Sequence, residues 1–364
     1  MELSPQQKEA SEKISAWLKA GQEQVFYLAG YAGTGKTTIA QILAKQAKGK
    51  TVYAAYTGKA AVVMRKSGCY NANTIHSTIY EAKRNERTGK YVFRFNENGA
   101  CADAGIIVID ECSMVGEKIG ADLLRYGRPV LVLGDPAQLP PIKSGGFFTE
   151  REPNMMLTEI HRQAEGNPII HLATMVRNGQ RPPINTYGQS AVIDSASITS
   201  QTIMSADQIL VGRNKTRELY NNRIRELLEK PKGLPVPGDR LVCLKNDHAL
   251  GIFNGGIYTV DSIASTGDPE TIGLVVRSED FPEADFVEAE VRKEFFLGGE
   301  KDIPWQDLMG LQQFTYGYAL TVHKSQGSQW GNVVLFDQSS NFKEWERHLY
   351  TGITRASDQI TIVY

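Results

Sequence analysis

The chain has 364 residues, enough for two or three domains, and its 41% hydrophobic and 22% charged residues are the balance of an ordinary globular protein. No run of about 18 apolar residues is present, which argues against a membrane-spanning helix, and the opening Met-Glu-Leu-Ser-Pro-Gln-Gln-Lys lacks the apolar stretch of a secretory signal. A formal net charge of −1 is uninformative about partners and leaves room for a narrow basic track on nucleic acid, and four cysteines without a Cys-x-x-Cys pair point away from zinc or iron–sulfur sites and toward a reducing cytoplasm.

Ser4 and Gln7 can form a capping box with Pro5 at the first helical position, so an amphipathic helix is expected to about Leu18. Four apolar runs then read as strands: Val25–Ala29, Thr51–Ala55, Ile106–Ile109 and Val130–Leu133. Helical patterns separate them, which predicts a parallel sheet with flanking helices. The polar segment Lys83–Asn98 contains an alternating Tyr91-Val-Phe-Arg-Phe95 after a Thr88-Gly89 turn, the pattern of a protruding hairpin. A second α/β pattern begins near Gln208, with a strand at Ile209–Gly212 and a helix at Lys215–Leu228. Short β-like stretches from Gly238 to Phe296, with a turn at Asn254-Gly255-Gly256, suggest a small β-barrel inserted into that second half. Helical signal is expected again at Leu320–Lys324, then strand at Val333–Phe336, helix at Trp345–Arg355 and strand at Gln359–Val363.

The densest chemistry lies at Gly30-Tyr-Ala-Gly-Thr-Gly-Lys36-Thr37, a complete G-x-x-x-x-G-K-[ST] phosphate loop. A buried strand precedes it, and Ile39, Ile42, Leu43 and Ala47 follow at helical spacing. Backbone N–H groups from Gly30, Gly33, Thr34, Gly35 and Thr38 would close around phosphate. Lys36 would reach the β- and γ-phosphates, and the Thr37 hydroxyl would hold Mg²⁺. Ile106-Ile-Val-Ile-Asp110-Glu111 ends a strand in two acids: Asp110 as a second Mg²⁺ ligand and Glu111 as the base for an attacking water. Gln138, in Gly134–Pro141, can sense the γ-phosphate; the alternative is a Pro-rich turn. Arg162 and Arg355 lie outside the first half, where either could neutralise transferring phosphoryl charge or make a plain surface ion pair. Asn214-Lys215-Thr-Arg217 lacks the Asp of a guanine-reading N-K-x-D, so ATP is expected rather than GTP.

In order, these motifs resemble a superfamily 1 DNA helicase of the RecD/Dda-like, 5′→3′ branch. Leu3–Gln7 resembles the adenine-reading motif, Gly30–Thr37 motif I, Ala55–Ala61 motif Ia, Thr74–Ser77 motif Ib, Asp110–Val115 motif II and Gly134–Pro141 motif III. His161-Arg162-Gln163 resembles motif IV, Tyr318–Gly327 motif V and Tyr350–Ala356 motif VI. The resemblance implies two RecA-like P-loop domains, at 1–150 and 151–364, with a short β-hairpin pin at about 81–103 and a small SH3-like β-barrel at about 234–312. It implies that Gln7 reads adenine, although its capping-box role needs no nucleotide. Arg162 and Arg355 become γ-phosphate arginines. Thr57, Lys59, Thr74, His76, Thr321, His323, Lys324 and Ser325 become DNA contacts, with helix capping as the alternative for the hydroxyls and a satisfied core histidine for His323. Phe93 or Phe95 would be the wedge, or both would pack on their own domain. The implied activity is Mg²⁺-ATP-driven 5′→3′ movement on single-stranded DNA with duplex unwinding. A protein-displacing translocase and a motor subunit of a recombination complex are the alternatives. The implied partners are single strands and single–double-strand junctions, met by a monomeric motor alongside single-strand-binding, replication or recombination proteins.

Overall fold

A computed structural model describes residues 3–44, 49–84, 91–140, 146–159, 166–247, 250 and 252–364. The chain divides into two compact units, Met1–Asn178 and Gly179–Tyr364. Among the described residues no helix is long and apolar enough to cross a membrane.

The first unit opens with helix Pro5–Ala20, which has the expected capping box at Ser4 and Gln7 and closes on Gly21 in the left-handed conformation. Its sheet is parallel, in the order Asn73–Thr74, Lys50–Ala55, Ala104–Asp110, Val130–Gly134, Val25–Gly30, Met155–Leu157. Alternate residues of the central strands enter two different cores. Tyr27, Ala29, Ile107, Ile109 and Val132 pack on one face, while Phe26, Leu28, Ile106, Val108 and Leu133 pack on the other with Ile14, Ile39 and Leu43 from the helices. A sheet buried on both faces explains why these strands read as unbroken apolar runs.

The strand Met155–Leu157 pairs with Leu28–Gly30, and helix Pro168–Arg177 follows it. The segment after 150 thus completes the first sheet, and the two compact units divide at 178/179. The hairpin is formed by Tyr80–Arg84 and Tyr91–Phe95 in antiparallel register, from Tyr80↔Phe95 to Arg84↔Tyr91. Its expected Thr88-Gly89 turn lies outside the described residues.

The second unit has a six-stranded sheet in the order Ala319–Thr321, Gln208–Val211, Trp330–Phe336, Ala356–Val363, Ser190–Ile193, Asn185–Tyr187, parallel except for the last pair. Between helix Asn214–Leu227 and strand Ala319–Thr321 a five-stranded antiparallel sheet is inserted. Its order is Val287–Arg292, Thr271–Ser278, Ile257–Ala264, Arg240–Cys243, Phe314–Tyr316, so it runs past the expected limit at 312. A bridge between Val291 and Gln312 draws the first edge strand toward the segment leading into the last. The insertion is tied to the helix beside it by a buried ion pair, Arg225 Nε donating to Asp239 Oδ1 at 3.0 Å, with Tyr318 Oη donating to the same oxygen at 2.9 Å.

One expectation in this unit fails. Leu320–Lys324 is not helical: Ala319–Thr321 is a buried strand pairing with Ile209–Val211, and a tight turn follows. A three-residue buried strand carries no readable alternation, and Leu-Thr-Val suits either state.

Candidate nucleotide-binding and strand-binding sites

Strand order sets the first site. Val130–Gly134 lies between Ala104–Asp110 and Val25–Gly30, all parallel, so Asp110, the turn after Gly134 and the phosphate loop emerge side by side from the carboxyl ends of adjacent strands. That edge is where open α/β sheets bind ligands. Gly33 and Gly35 have φ of 79° and 80°. A Cβ on Gly35 would also lie 2.5 Å from Gln7 Nε2, so glycine is required there twice over. Lys36 Nζ donates to the carbonyls of Gly30 (2.7 Å) and Tyr31 (3.0 Å), and Thr34 Oγ1 also donates to Tyr31 O. The lysine is thus held over the loop that it serves.

Asp110 receives the hydroxyl of Thr37 and the backbone N–H of Glu111, the latter at 2.8 Å. Burial raises its pKa above the usual carboxylate value, opposed by these bonds and by Lys36. One carboxylate and one hydroxyl form an oxygen-only donor pair. That fits Mg²⁺, which takes one or two carboxylates and leaves the remaining positions to water and substrate phosphate. Among the described residues no cluster of three or more His, Cys, Asp or Glu offers a complete protein cage. Glu111 has φ 51° and ψ 45°, the left-handed region that side chains rarely adopt. Such backbone costs about 1–3 kcal/mol and is concentrated at functional sites. Gln138 is buried, and its Oε1 accepts no hydrogen bond among the described residues. That loss is worth about 1–3 kcal/mol, and a ligand-sensing role would account for it.

Gln7 is committed at both ends of its amide. Oε1 accepts from Ser4 N (3.0 Å) and Nε2 donates to Thr34 O (3.0 Å), which couples the first helix to the phosphate loop. Two residues of this region escape sequence reasoning. Gln6 Oε1 accepts from the N–H groups of Thr158 and Glu159, both at 2.8 Å, which joins the helix start to the segment before Arg162. The Arg177 guanidinium lies 3.8 Å above the ring of Tyr31, inside the phosphate loop. An aromatic within the loop was the readable hint for the second; nothing marked the first. Arg162 itself lies outside the described residues.

The second unit buries Arg355 between helix Trp345–Ile353 and the last strand. Its guanidinium donates to Thr351 O (3.1 Å), Ser328 O (3.1 Å) and Thr354 Oγ1 (3.2 Å), all neutral oxygens. The side chain is buried and does not lie on the surface.

The residues expected at DNA divide by exposure. Thr57 and Thr74 cap helices, accepting from Ala60 N and Ser77 N, and Thr74 is buried. Lys59 is partly exposed on the helix that Thr57 caps. His76 lies between Tyr56 and Tyr80, with ring separations of 6.3 and 5.7 Å. Thr321, buried, accepts from Lys324 N at 3.2 Å. Lys324 Nζ donates to Asn254 Oδ1 at 2.6 Å, and burial lowers its pKa. Burial likewise lowers that of His323. Ser325 has no exposed surface, and its hydroxyl donates to Val322 O at 2.8 Å within the turn. In the hairpin Phe95 packs on Tyr126 at 4.8 Å with Arg125 over its ring at 3.9 Å, while Phe93 is 55% exposed.

A family model described as an AAA domain matches residues 2–197, more than half of the chain. The chain belongs to the AAA-domain family. A second model, the UvrD-like helicase C-terminal domain, matches residues 316–363 of this AAA-domain protein, the stretch holding the Thr321–Gly327 turn and Arg355. It is 28% identical over 379 residues to the ATP-dependent RecD2 DNA helicase of Deinococcus radiodurans, covering 96% of this chain and 48% of that protein. It is 24% identical to the RecBCD enzyme subunit RecD of Mycolicibacterium smegmatis, covering 92% of this chain and 67% of that one. The chain spans about half the length of the RecD2 relative and about a third of the conjugal transfer proteins TraA that it also matches. A Bacteroides Pif1 solved with single-stranded DNA shares the fold with a TM-score of 0.58 at 18% identity, over 99% of this chain and 92% of that one. A Pif1 structure described as unwinding forked duplex DNA gives 0.59 at 19%, with the same coverage. Beyond that family, the chain is similar in sequence to RecD-type helicases and in fold to Pif1 helicases.

Proposed function

We propose that this chain is an ATP-driven motor that moves 5′→3′ along single-stranded DNA and opens duplex at single–double-strand junctions. The observation that carries the reading is the gathering of Lys36, Thr37 and Asp110 at one edge of a parallel sheet, with Glu111 next in the chain in a strained backbone. ATP would enter with its phosphates on the loop and its base toward Gln7. Lys36 leaves the carbonyls of Gly30 and Tyr31 for phosphate oxygens. Mg²⁺, held by Thr37 and Asp110 when bound, would offset phosphate charge there. Glu111 takes the proton of the attacking water, and Gln138 registers whether the γ-phosphate is present. Arg162 and Arg355 are assigned to phosphoryl charge, a contribution of about 10³–10⁵ in rate for such arginines. Arg355 is buried, with its guanidinium donating to Thr351 O, Ser328 O and Thr354 Oγ1.

The inserted five-stranded sheet is read as an SH3-like barrel, supported by the Val291–Gln312 bridge between its edges. The hairpin is read as the pin. The chain would work as a monomer with single-strand-binding, replication or recombination proteins as partners, and the cytoplasm is its proposed place. The packing of Phe95 against Tyr126 favours one further reading, a translocase that displaces proteins with little unwinding, since it leaves Phe93 as the exposed aromatic of the two.

ATP hydrolysis with and without oligonucleotide, together with strand displacement on 5′- and 3′-tailed duplexes, tests the proposal. Stimulation by DNA and displacement from the 5′ tail are expected, both abolished by Lys36→Ala with the fold retained by circular dichroism. Hydrolysis indifferent to oligonucleotide overturns the motor, displacement from the 3′ tail alone overturns the polarity, and movement without displacement selects the translocase.

A further inference from the structure

His348 is an anomaly in the second unit. It is 1% exposed, and neither ring nitrogen has a hydrogen-bond partner among the described residues. Its ring stacks on Phe342 at 4.3 Å and 13°, and the ring of His323 lies 5.8 Å away. His323 and Asp337 are the titratable groups that act on it, and Asp337 is already paired with Arg181. Burial lowers its pKa to about 4, so the imidazole is neutral near pH 7. A neutral imidazole has one donor and one acceptor. Stacking on Phe342 needs neither, and a phenylalanine would occupy this place without an unmet polar group. A buried polar group kept without a partner calls for a reason.

Its position supplies one. His323 belongs to the turn after Thr321, the turn assigned to the DNA strand. On the other side, helix Trp345–Ile353 runs from His348 directly to the arginine: Thr351, three residues on, gives its carbonyl to Arg355 Nε at 3.1 Å. The helix also touches that turn: a Cβ on Gly352 would meet Val322 Cγ2 in ordinary contact at 3.4 Å and lie 2.8 Å from Leu335 Cδ2 of strand Trp330–Phe336, so the helix packs against both. Two imidazoles sharing an N–H···N bond have ring centres about 5 Å apart, close to the separation already present.

We propose that His348 is a positioning residue that couples strand occupancy to hydrolysis: when a single strand engages the His323 turn, His348 and His323 form a hydrogen bond that shifts the helix carrying Arg355. The inference rests on the motor reading above and adds the route by which DNA would stimulate its ATPase. The test uses the whole chain with His348→Phe. Hydrolysis is measured with and without oligothymidylate, and strand affinity by anisotropy. The variant is expected to fold, to bind the strand within about twofold of wild type, and to lose at least tenfold of the DNA stimulation. His348→Gln, which keeps a donor and an acceptor, should recover part of it. Stimulation by DNA in His348→Phe equal to wild type overturns the inference and leaves the motor reading standing. A wild-type ATPase blind to DNA overturns both. Independently of any variant, the ¹⁵N resonances of the His348 ring in wild type should move from an unbonded to a hydrogen-bonded position on adding oligothymidylate; unmoved resonances overturn the coupling.

Discussion

At the residue scale, two side chains are held in states that stability alone does not favour. Glu111 occupies left-handed backbone, which glycine adopts freely. Glu111→Gly should therefore leave stability unchanged or raise it by up to about 1 kcal/mol, while hydrolysis falls at least 100-fold for want of a base. Urea unfolding and ATPase rates check the two halves; a loss above about 1 kcal/mol would show that the backbone is not strained. His348 gives a pH dependence with a definite sign. Its folded pKa of about 4 lies below the ordinary 6.5, so between those values the unfolded chain binds more protons. Its contribution is intact above pH 6.5 and is lost as pH falls toward 4, roughly 3 kcal/mol in all. His348→Phe should abolish that part of the acid destabilisation. Unfolding curves across pH 4–7 should show wild type losing stability relative to His348→Phe as pH falls from 6.5 toward 4; a separation that stays constant would show that the His348 pKa is not depressed by folding.

At the element scale, the hairpin makes a sharp contrast between two phenylalanines two residues apart. Phe95 is covered by Tyr126 and Arg125, and Phe93 is mostly exposed. Phe95→Ala should cost about 1–3 kcal/mol of stability. Phe93→Ala should change stability by less than about 0.5 kcal/mol yet slow strand displacement, because a stacked aromatic is worth about 1–3 kcal/mol per base. Thermal melts and displacement rates on a 5′-tailed duplex separate the roles; normal displacement by Phe93→Ala would remove it as the wedge. Sequence alone could not choose between these rings, since both sit on one face of one alternating strand and only the partner Tyr126, 31 positions on from Phe95, distinguishes them. The same limit explains the other elements. Strands buried on both faces, such as Ile106–Ile109, announced themselves as apolar runs. Met155–Leu157 and Ala319–Thr321 are three residues long and owe their state to the strands they pair with, Val25–Gly30 and Gln208–Val211. The candidate nucleotide site could be read because its residues are sequence neighbours at fixed spacing, and the structure gathers Lys36, Thr37 and Asp110. The expected strand contacts were harder to read, because a hydroxyl such as that of Thr74 or Ser325 serves a turn and a phosphate equally well on paper; in the structure both bond within their turns.

At the scale of the whole molecule, a net charge of −1 means that strand binding cannot come from overall attraction. It must come from a few cations placed on a track. On the proposed reading Lys324 is a candidate for one of these: its ammonium donates to the amide oxygen of Asn254, and among the described residues it has no carboxylate partner. Buried hydroxyls such as Thr74, Thr321 and Ser325 add nothing to that charge. For single strands each neutralised phosphate contributes about −0.7 to the slope of log affinity against log salt. A track of three or four such contacts gives a slope of about −2 to −3, far shallower than a cationic coat would produce. Lys324→Ala should make the slope shallower by about 0.7 and weaken oligothymidylate and mixed-sequence strands alike, because a phosphate contact positions a strand without reading it. Anisotropy titrations over a range of salt concentrations measure both quantities. A slope steeper than about −6 would show a broad electrostatic surface that this charge balance does not provide, and an unchanged slope in Lys324→Ala would take the lysine off the track.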